Sequence, residues 1–291
     1  MIFKFLLAVS LLVFFSTANL IALGNKADMA PIKVSKIRLV DHELLVYDGK
    51  VGGEDTYRMT TVASLEDNPD WGKCVRLYEF ISSVKEPRTL PTDLNQFDGF
   101  YLISLEKGST IEVSRNFTNY TKTRDKRYPL TRHFKMNKEF TEMEYTEIYW
   151  DGFESKTKKS RIPVKPNYPT WDLNSLIMAG LRFLDLQSGG ILYAVEPSVL
   201  KDPMPANVRF IKKEIVETPA GKFNTIKVAF SVADPFIGKL VSTYTKDTFV
   251  WIEESGAMRL VKLHSAMGED VLLTKISSFP EVKKPSAGKN K

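Results

Sequence analysis

The chain of 291 residues has one cysteine, Cys74, and three histidines, His42, His133 and His264. A single thiol excludes an internal disulfide, so the fold must rest on its core. Cys74 lies in Lys73-Cys74-Val75-Arg76-Leu77, a strand-like pattern, and is expected to act as a small buried apolar residue. The scarcity of ligand groups also limits the chemistry. No cysteine pair, His-x-x-Glu-His run or carboxylate cluster has metal-ligand spacing. Asp41-His42-Glu43 sets three ligand types side by side, but neighbours on a strand point to opposite faces and cannot converge on one ion. A Gly-x-Ser-x-Gly elbow and a phosphate-cradling glycine loop are both missing. No metal, cofactor or catalytic residue is therefore expected. An enzyme is left only as the weaker alternative, a hydrolase whose site is assembled from distant residues.

The N-terminus points to export. Lys4 precedes an uncharged run from Phe5 to Asn25 whose apolar heart is Phe5–Phe15, followed by small residues. A short basic region, an apolar region and a small-x-small site make a secretory signal, here with cleavage after Ala18 or Gly24. The alternative is an uncleaved helix anchored in the inner membrane, interrupted by Ser16, Thr17 and Asn19. Cys74 is far from this segment, so the acylated cysteine of a bacterial lipoprotein is missing. An exported chain of this size without disulfides fits the bacterial periplasm better than a eukaryotic exterior. The sequons at Asn116 and Asn119 are then accidental. The balance of 41 basic to 35 acidic residues gives +6. Export leaves no nucleic acid to meet, so this charge is expected to matter only toward anionic lipid or a protein surface.

Past the signal, strand signals dominate. Phe140–Trp150 alternates at period two, and similar runs occur at 44–47, 57–63, 75–84, 100–105 and 110–113. The second half repeats the style at 208–216, 223–232, 248–252, 258–264 and 271–276. Asp48-Gly49, Asp98-Gly99 and Asp151-Gly152 read as tight hairpin turns. Thr218-Pro219-Ala220-Gly221 reads as a turn that sets the register of one hairpin. One segment departs from this pattern: after Asp172, a candidate N-cap, Leu173, Leu176, Ile177, Leu181 and Leu184 recur at helical spacing. The expected fold is mainly β, a curved antiparallel sheet with this one short helix packed on its concave side. Residues 25–282 would form one domain, with two halves joined near 162–170 by a proline-rich bridge. The basic tail 283–291 is expected to be disordered.

A basic stretch holds Arg124, Lys126, Arg127 and Arg132, and Lys156, Lys158, Lys159 and Arg161 follow. Solvated loops explain it, and so does a patch facing anionic lipid or an acidic partner, which the interleaved Phe117, Tyr120, Tyr128 and Phe134 suit.

Three features together resemble the exported bacterial proteins of the domain of unknown function 3108. They are Asp172-Leu-Asn-Ser175 opening a helix that ends near Arg182, Thr218-Pro-Ala-Gly-Lys-Phe-Asn-Thr-Ile-Lys-Val228, and the tryptophan strand from Trp251 to Val261. Leu45–Gly53 is similar to that family's opening hairpin. The resemblance implies a half-barrel or open barrel wrapping a helix, like envelope lipid carriers, and it supplies no activity. It marks Asp172, Ser175 and Arg182 as the candidate ligand-binding residues, although cap and ion-pair roles account for them equally well. The export signal, the all-β pattern, the many aromatics and the poverty of catalytic groups make non-enzymatic carriage of an apolar ligand or envelope component the expected function. The alternative is a structural or interaction protein of the envelope with a filled core.

Overall fold

The computed structural model describes residues 30–35, 39–51, 53–85, 87, 97–116, 129–150, 154–165, 167–195, 202–232, 248–265 and 268–279. The signal segment, the tail, and Arg124, Lys126 and Arg127 lie outside the described residues.

The first half is an antiparallel meander of eight strands: β1 (Glu43–Val51), β2 (Glu54–Asn68), β3 (Gly72–Ser82), β4 (Gly99–Ser104), β5 (Ser109–Asn116), β6 (Pro129–Met136), β7 (Glu142–Trp150) and β8 (Ser155–Pro163). The second half begins with β9 (Thr170–Asp172), helix α1 (Leu173–Met178) and a 3-10 turn (Gly180–Phe183). It continues through β10 (Gly190–Val195), β11 (Met204–Thr218), β12 (Gly221–Val232), β13 (Thr248–Glu253), β14 (Leu260–His264) and β15 (Glu269–Ser278). Pairing of β1 with β15 fuses the halves into one sheet of 15 strands with β8 and β9 at its edges.

Chain connectivity forces that sheet to roll. Laid flat, 15 strands would separate β8 from β9 by roughly 65–70 Å at the usual strand spacing. Only residues 164–169 join them, and seven Cα steps reach about 25 Å. The sheet therefore curls until its edges approach, yet β9 does not pair with β8. It tucks inside against β5, where Thr170 N donates to Ser109 Oγ (3.2 Å) and Asp172 N to Thr110 Oγ1 (3.4 Å). The result is an open, unclosed sheet with its helix on the concave side.

Alternation along the strands sends one set of side chains inward: Leu45 and Tyr47 from β1, Val75 and Leu77 from β3, Tyr101 and Ile103 from β4, Phe134 from β6, Val228 from β12. These meet Trp171, Leu176, Leu181, Phe183 and Leu184 in one buried cluster, so the segment 170–184 (β9, α1 and the 3-10 turn) is the plug of the concave side. The convex face carries smaller clusters. Cys74 sits in one of them with Leu102 and Ile111; it is fully buried, and desolvation pushes its thiol up to about 11.

The Thr218–Gly221 hairpin forms as expected, whereas Asp48-Gly49 is not a turn. Both residues lie within β1: Asp48 pairs with Arg58 (2.7 Å), and Gly49 faces Tyr57 on β2. A Cβ on Gly49 would stand 2.1 Å from the Tyr57 ring, so glycine is needed there for close approach. Asp98 precedes β4 and accepts from Ile81 N (2.8 Å), and Asp151-Gly152 lies outside the described residues. The single helix expected over 172–184 is broken after Met178. A Cβ on Gly180 would meet the Trp171 ring at 2.8 Å, so the backbone closes on the indole there and continues as a 3-10 turn.

Candidate functional site

The plug carries all three nominated residues, and each is used within the fold. Asp172 caps α1, its Oδ1 accepting from Ser175 N (3.0 Å). Ser175 Oγ lies 2.9 Å from the Asp172 carbonyl and 2.8 Å from Thr110 Oγ1, which ties α1 to β5. Its hydroxyl thus meets a carbonyl and a threonine rather than a histidine. Arg182 donates from Nε to the Ala257 carbonyl (2.9 Å), and its Nη1 lies 2.8 Å from Glu43 Oε2. Asp172, Ser175 and Arg182 are at most 3% exposed.

Around Arg182 a chain of charges crosses the interior. Glu43 Oε1 accepts from Arg259 Nε (2.6 Å), and Arg259 Nη1 reaches Glu253 Oε2 (3.2 Å). Tyr47 lies beside these groups, fully buried, and desolvation raises its phenol far above the ordinary range. Neither the Tyr47 hydroxyl nor Arg182 Nη2 has a hydrogen-bond partner among the described residues. Glu43, one of the three ligand types near the chain start, therefore serves an arginine pair, while His42 leans on Asp41 (3.6 Å).

A second group lies deeper along the meander. Glu79 accepts from Tyr101 Oη (3.1 Å) and Arg115 Nη2 (3.3 Å), and burial raises the Tyr101 phenol. Tyr57 donates to Glu269, whose carboxyl is raised first by desolvation and further by Asp270, with the tyrosine bond opposing. Sequence reasoning missed this interior network. Its signal was a charged residue on the inward phase of an apolar alternation, as in Leu77-x-Glu79-x-Ile81.

The raised Glu269 carboxyl gives a signed expectation. Its folded value lies above the ordinary 4.5, so the native state holds the proton more tightly than the unfolded chain. Its contribution then opposes folding increasingly as pH rises above about 4.5. Glu269→Gln, which keeps an acceptor for Tyr57, should be more stable than wild type at neutral pH and lose that advantage below about 4.5. Denaturant midpoints across this range check it; an advantage independent of pH would contradict it.

Arg132, nominated for an anionic surface, belongs to the inward set instead. It is 7% exposed, and its Nε donates to Glu147 (3.2 Å), which also accepts from Tyr145. Its inward phase on β6 decides this, since a residue two places from Phe134 shares that face. Lys156, Lys158, Lys159 and Arg161 are exposed along the edge strand β8, where such charges discourage pairing with another sheet. Among the described residues no group of three or more His, Cys, Asp or Glu side chains could hold a metal ion. An open groove of about 450 Å³ lies between the 187–190 turn, Ala30 and residues 207–210 of β11, with a wall of mixed polar and apolar groups.

No family model and no curated protein matches the chain. Among solved structures it is similar to a protein of YmcC-like fold from Bacteroides fragilis, at 11% identity over 84% of this chain and 100% of that one, with TM-score 0.33. It is also similar to a β-barrel-like protein of the domain of unknown function 1849 from Brucella abortus, at 11% identity, the same two coverages and TM-score 0.36. A third is the hypothetical lipoprotein YmcC of Escherichia coli, at 5% identity over 84% of this chain and 90% of that one, with TM-score 0.25. None of the three bears the name of the domain of unknown function 3108, and no family is assigned to the chain. No described helix is long and apolar enough to cross a membrane.

Proposed function

We propose that the chain is an exported, non-enzymatic protein of the bacterial envelope that acts through its outer surface and sheet edges. The observation that carries this reading is the filled concave face. Trp171, Phe183, Tyr47 and Tyr101 have no measurable exposure, and the charged groups among them are engaged with one another. An apolar carrier needs an interior volume on the order of 300 Å³ or more with apolar walls. The groove beside β11 is large enough, but it is open rather than enclosed, and Gln187, Asn207 and Arg209 line it together with Val208 and Phe210. Those facts favour an interaction protein over the carrier expected from the sequence. Export rests on the basic, apolar and small-residue order of residues 1–24.

Native mass spectrometry of protein purified from the periplasmic fraction tests both parts. The expected result is a mass equal to the polypeptide cut after Ala18 or Gly24, with no lipid recovered by solvent extraction. One lipid per chain would overturn the filled-core reading, and a chain kept in the inner membrane would overturn cleavage.

A further inference from the structure

The strand β11 outruns its neighbour. β10 begins at Gly190, opposite Val208, so no described strand pairs with Phe210–Thr218 on that side, while β12 follows β11 to the hairpin. Ile211, Lys213, Ile215 and Glu217 are exposed, Ile215 at 59%. Six large hydrophobics are exposed among the described residues, and Phe210, Ile211 and Ile215 are three of them. That concentration on one short edge sets this stretch apart from scattered surface residues. Lysines and a bulge commonly blunt such an edge. The bulge here lies between Phe210 and Lys212, and beyond it the register with β12 is unbroken.

The hairpin fixes which backbone groups face outward. A two-residue loop makes Thr218 and Gly221 a mutually bonded pair, and bonded pairs recur at every second residue, so Val216 and Glu214 also turn toward β12. Thr225 Oγ1 donates to the Glu214 carbonyl (2.7 Å), which independently places that carbonyl on the β12 side. Lys213, Ile215 and Glu217 therefore direct their amides and carbonyls away from the sheet. In an antiparallel pair of identical edges, outward residues must oppose outward residues. Centring on Lys213 or Glu217 opposes like charges. Centring on Glu214 sets Ile215 against lysine and Ile211 against Glu217. Centring on Ile215 opposes isoleucine to isoleucine and sets Lys213 against Glu217 of the second copy on both flanks.

We propose that the free edge of β11 pairs antiparallel with the same edge of a second copy of this chain, centred on Ile215. Three pairs with two backbone bonds each make a small interface, short of the ~1,000 Å² typical of stable complexes, so association is weak, with Kd on the order of 0.1 mM. The proposal deepens the surface-acting reading by naming one partner. It is tested by association alone, so its failure and that of the ligand-free interior are distinguishable.

Cysteine crosslinking of the full mature chain reads the register directly, because the native Cys74 is buried. Opposed residues of a bonded pair stand about 5.5 Å apart at Cα, within disulfide reach. Ile215→Cys should give a covalent dimer under mild oxidation. Glu217→Cys should not, because its equivalents would stand roughly 13 Å apart along the strands. In sedimentation, Lys213→Glu and Glu217→Lys should each weaken association at least tenfold, and the double variant should restore it. The exposed Lys213–Glu254 contact is lost in the Lys213→Glu variant and in the double variant alike, so restoration isolates the intermolecular pair. Equal crosslinking of the two cysteine variants, a monomer at millimolar concentration, or a double variant no better than the singles would overturn the proposal.

Discussion

Arg182→Ala should lower the unfolding free energy by about 3–5 kcal/mol, because it leaves Glu43 buried beside half of its countercharge. Glu43 is 2% exposed and touches Arg182 at 2.8 Å and Arg259 at 2.6 Å. Arg259 is shared with Glu253, so it cannot fully replace the lost guanidinium. The same substitution removes the bond to the Ala257 carbonyl and frees the 3-10 turn from the β13–β14 turn. For a chain of this length the melting temperature should fall by roughly 10 °C. The partner change separates pairing from packing. Glu43→Leu with Arg182→Met removes both charges and keeps apolar volume, so it should recover most of the loss, as replacement of buried pairs often does. A loss under about 1 kcal/mol for Arg182→Ala would mean that Glu43 is not isolated by its burial.

The contrast between Asp172 and Arg182 shows what the sequence could reveal. The Asp172 cap is local, an acceptor three residues before the amide it serves, and a helix-start pattern exposes it. The partner of Arg182 is Glu43, at the far end of the chain, brought there only by the closing of β1 on β15. Strands whose buried and more open positions alternate were legible in the same local way, as at 143–146 and 271–274. The strand β8 was not: Lys156–Arg161 is exposed on both faces, so no apolar alternation marks it, and pairing with β7 holds it. The run Ile191–Val195 in β10 is buried throughout, and a continuous apolar run has no period to read. Asp48-Gly49 misled because its glycine answers to the Tyr57 ring on the next strand rather than to a turn. The curved, mainly β architecture was legible from many such local patterns together. The interior charge network was not, since links such as Arg182–Glu43 and Tyr57–Glu269 join residues far apart in sequence.

Trp171→Ala should cost about 3–5 kcal/mol and turn the filled interior into a hollow one. The indole has no exposure; its ring lies 5.8 Å from that of Phe183 and closes directly over Gly180. Truncation removes contacts from the plug and the strand wall at once, and the surrounding sheet can relax only in part. Trp171 Nε1 has no hydrogen-bond partner among the described residues, so the ring's contribution there is packing. Trp171→Phe should therefore keep more than half of the stability lost in the alanine variant, which denaturant unfolding of the two variants would check. An apolar hole of this kind stays dry and accepts small apolar molecules. Benzene or xenon should accordingly stabilise Trp171→Ala and leave the wild type unchanged. If benzene stabilised the wild type equally, the plug would not fill the concave face, and the carrier reading would regain its footing. If Trp171→Ala cost less than about 1 kcal/mol, the same would follow, because a tightly packed tryptophan cannot be removed so cheaply.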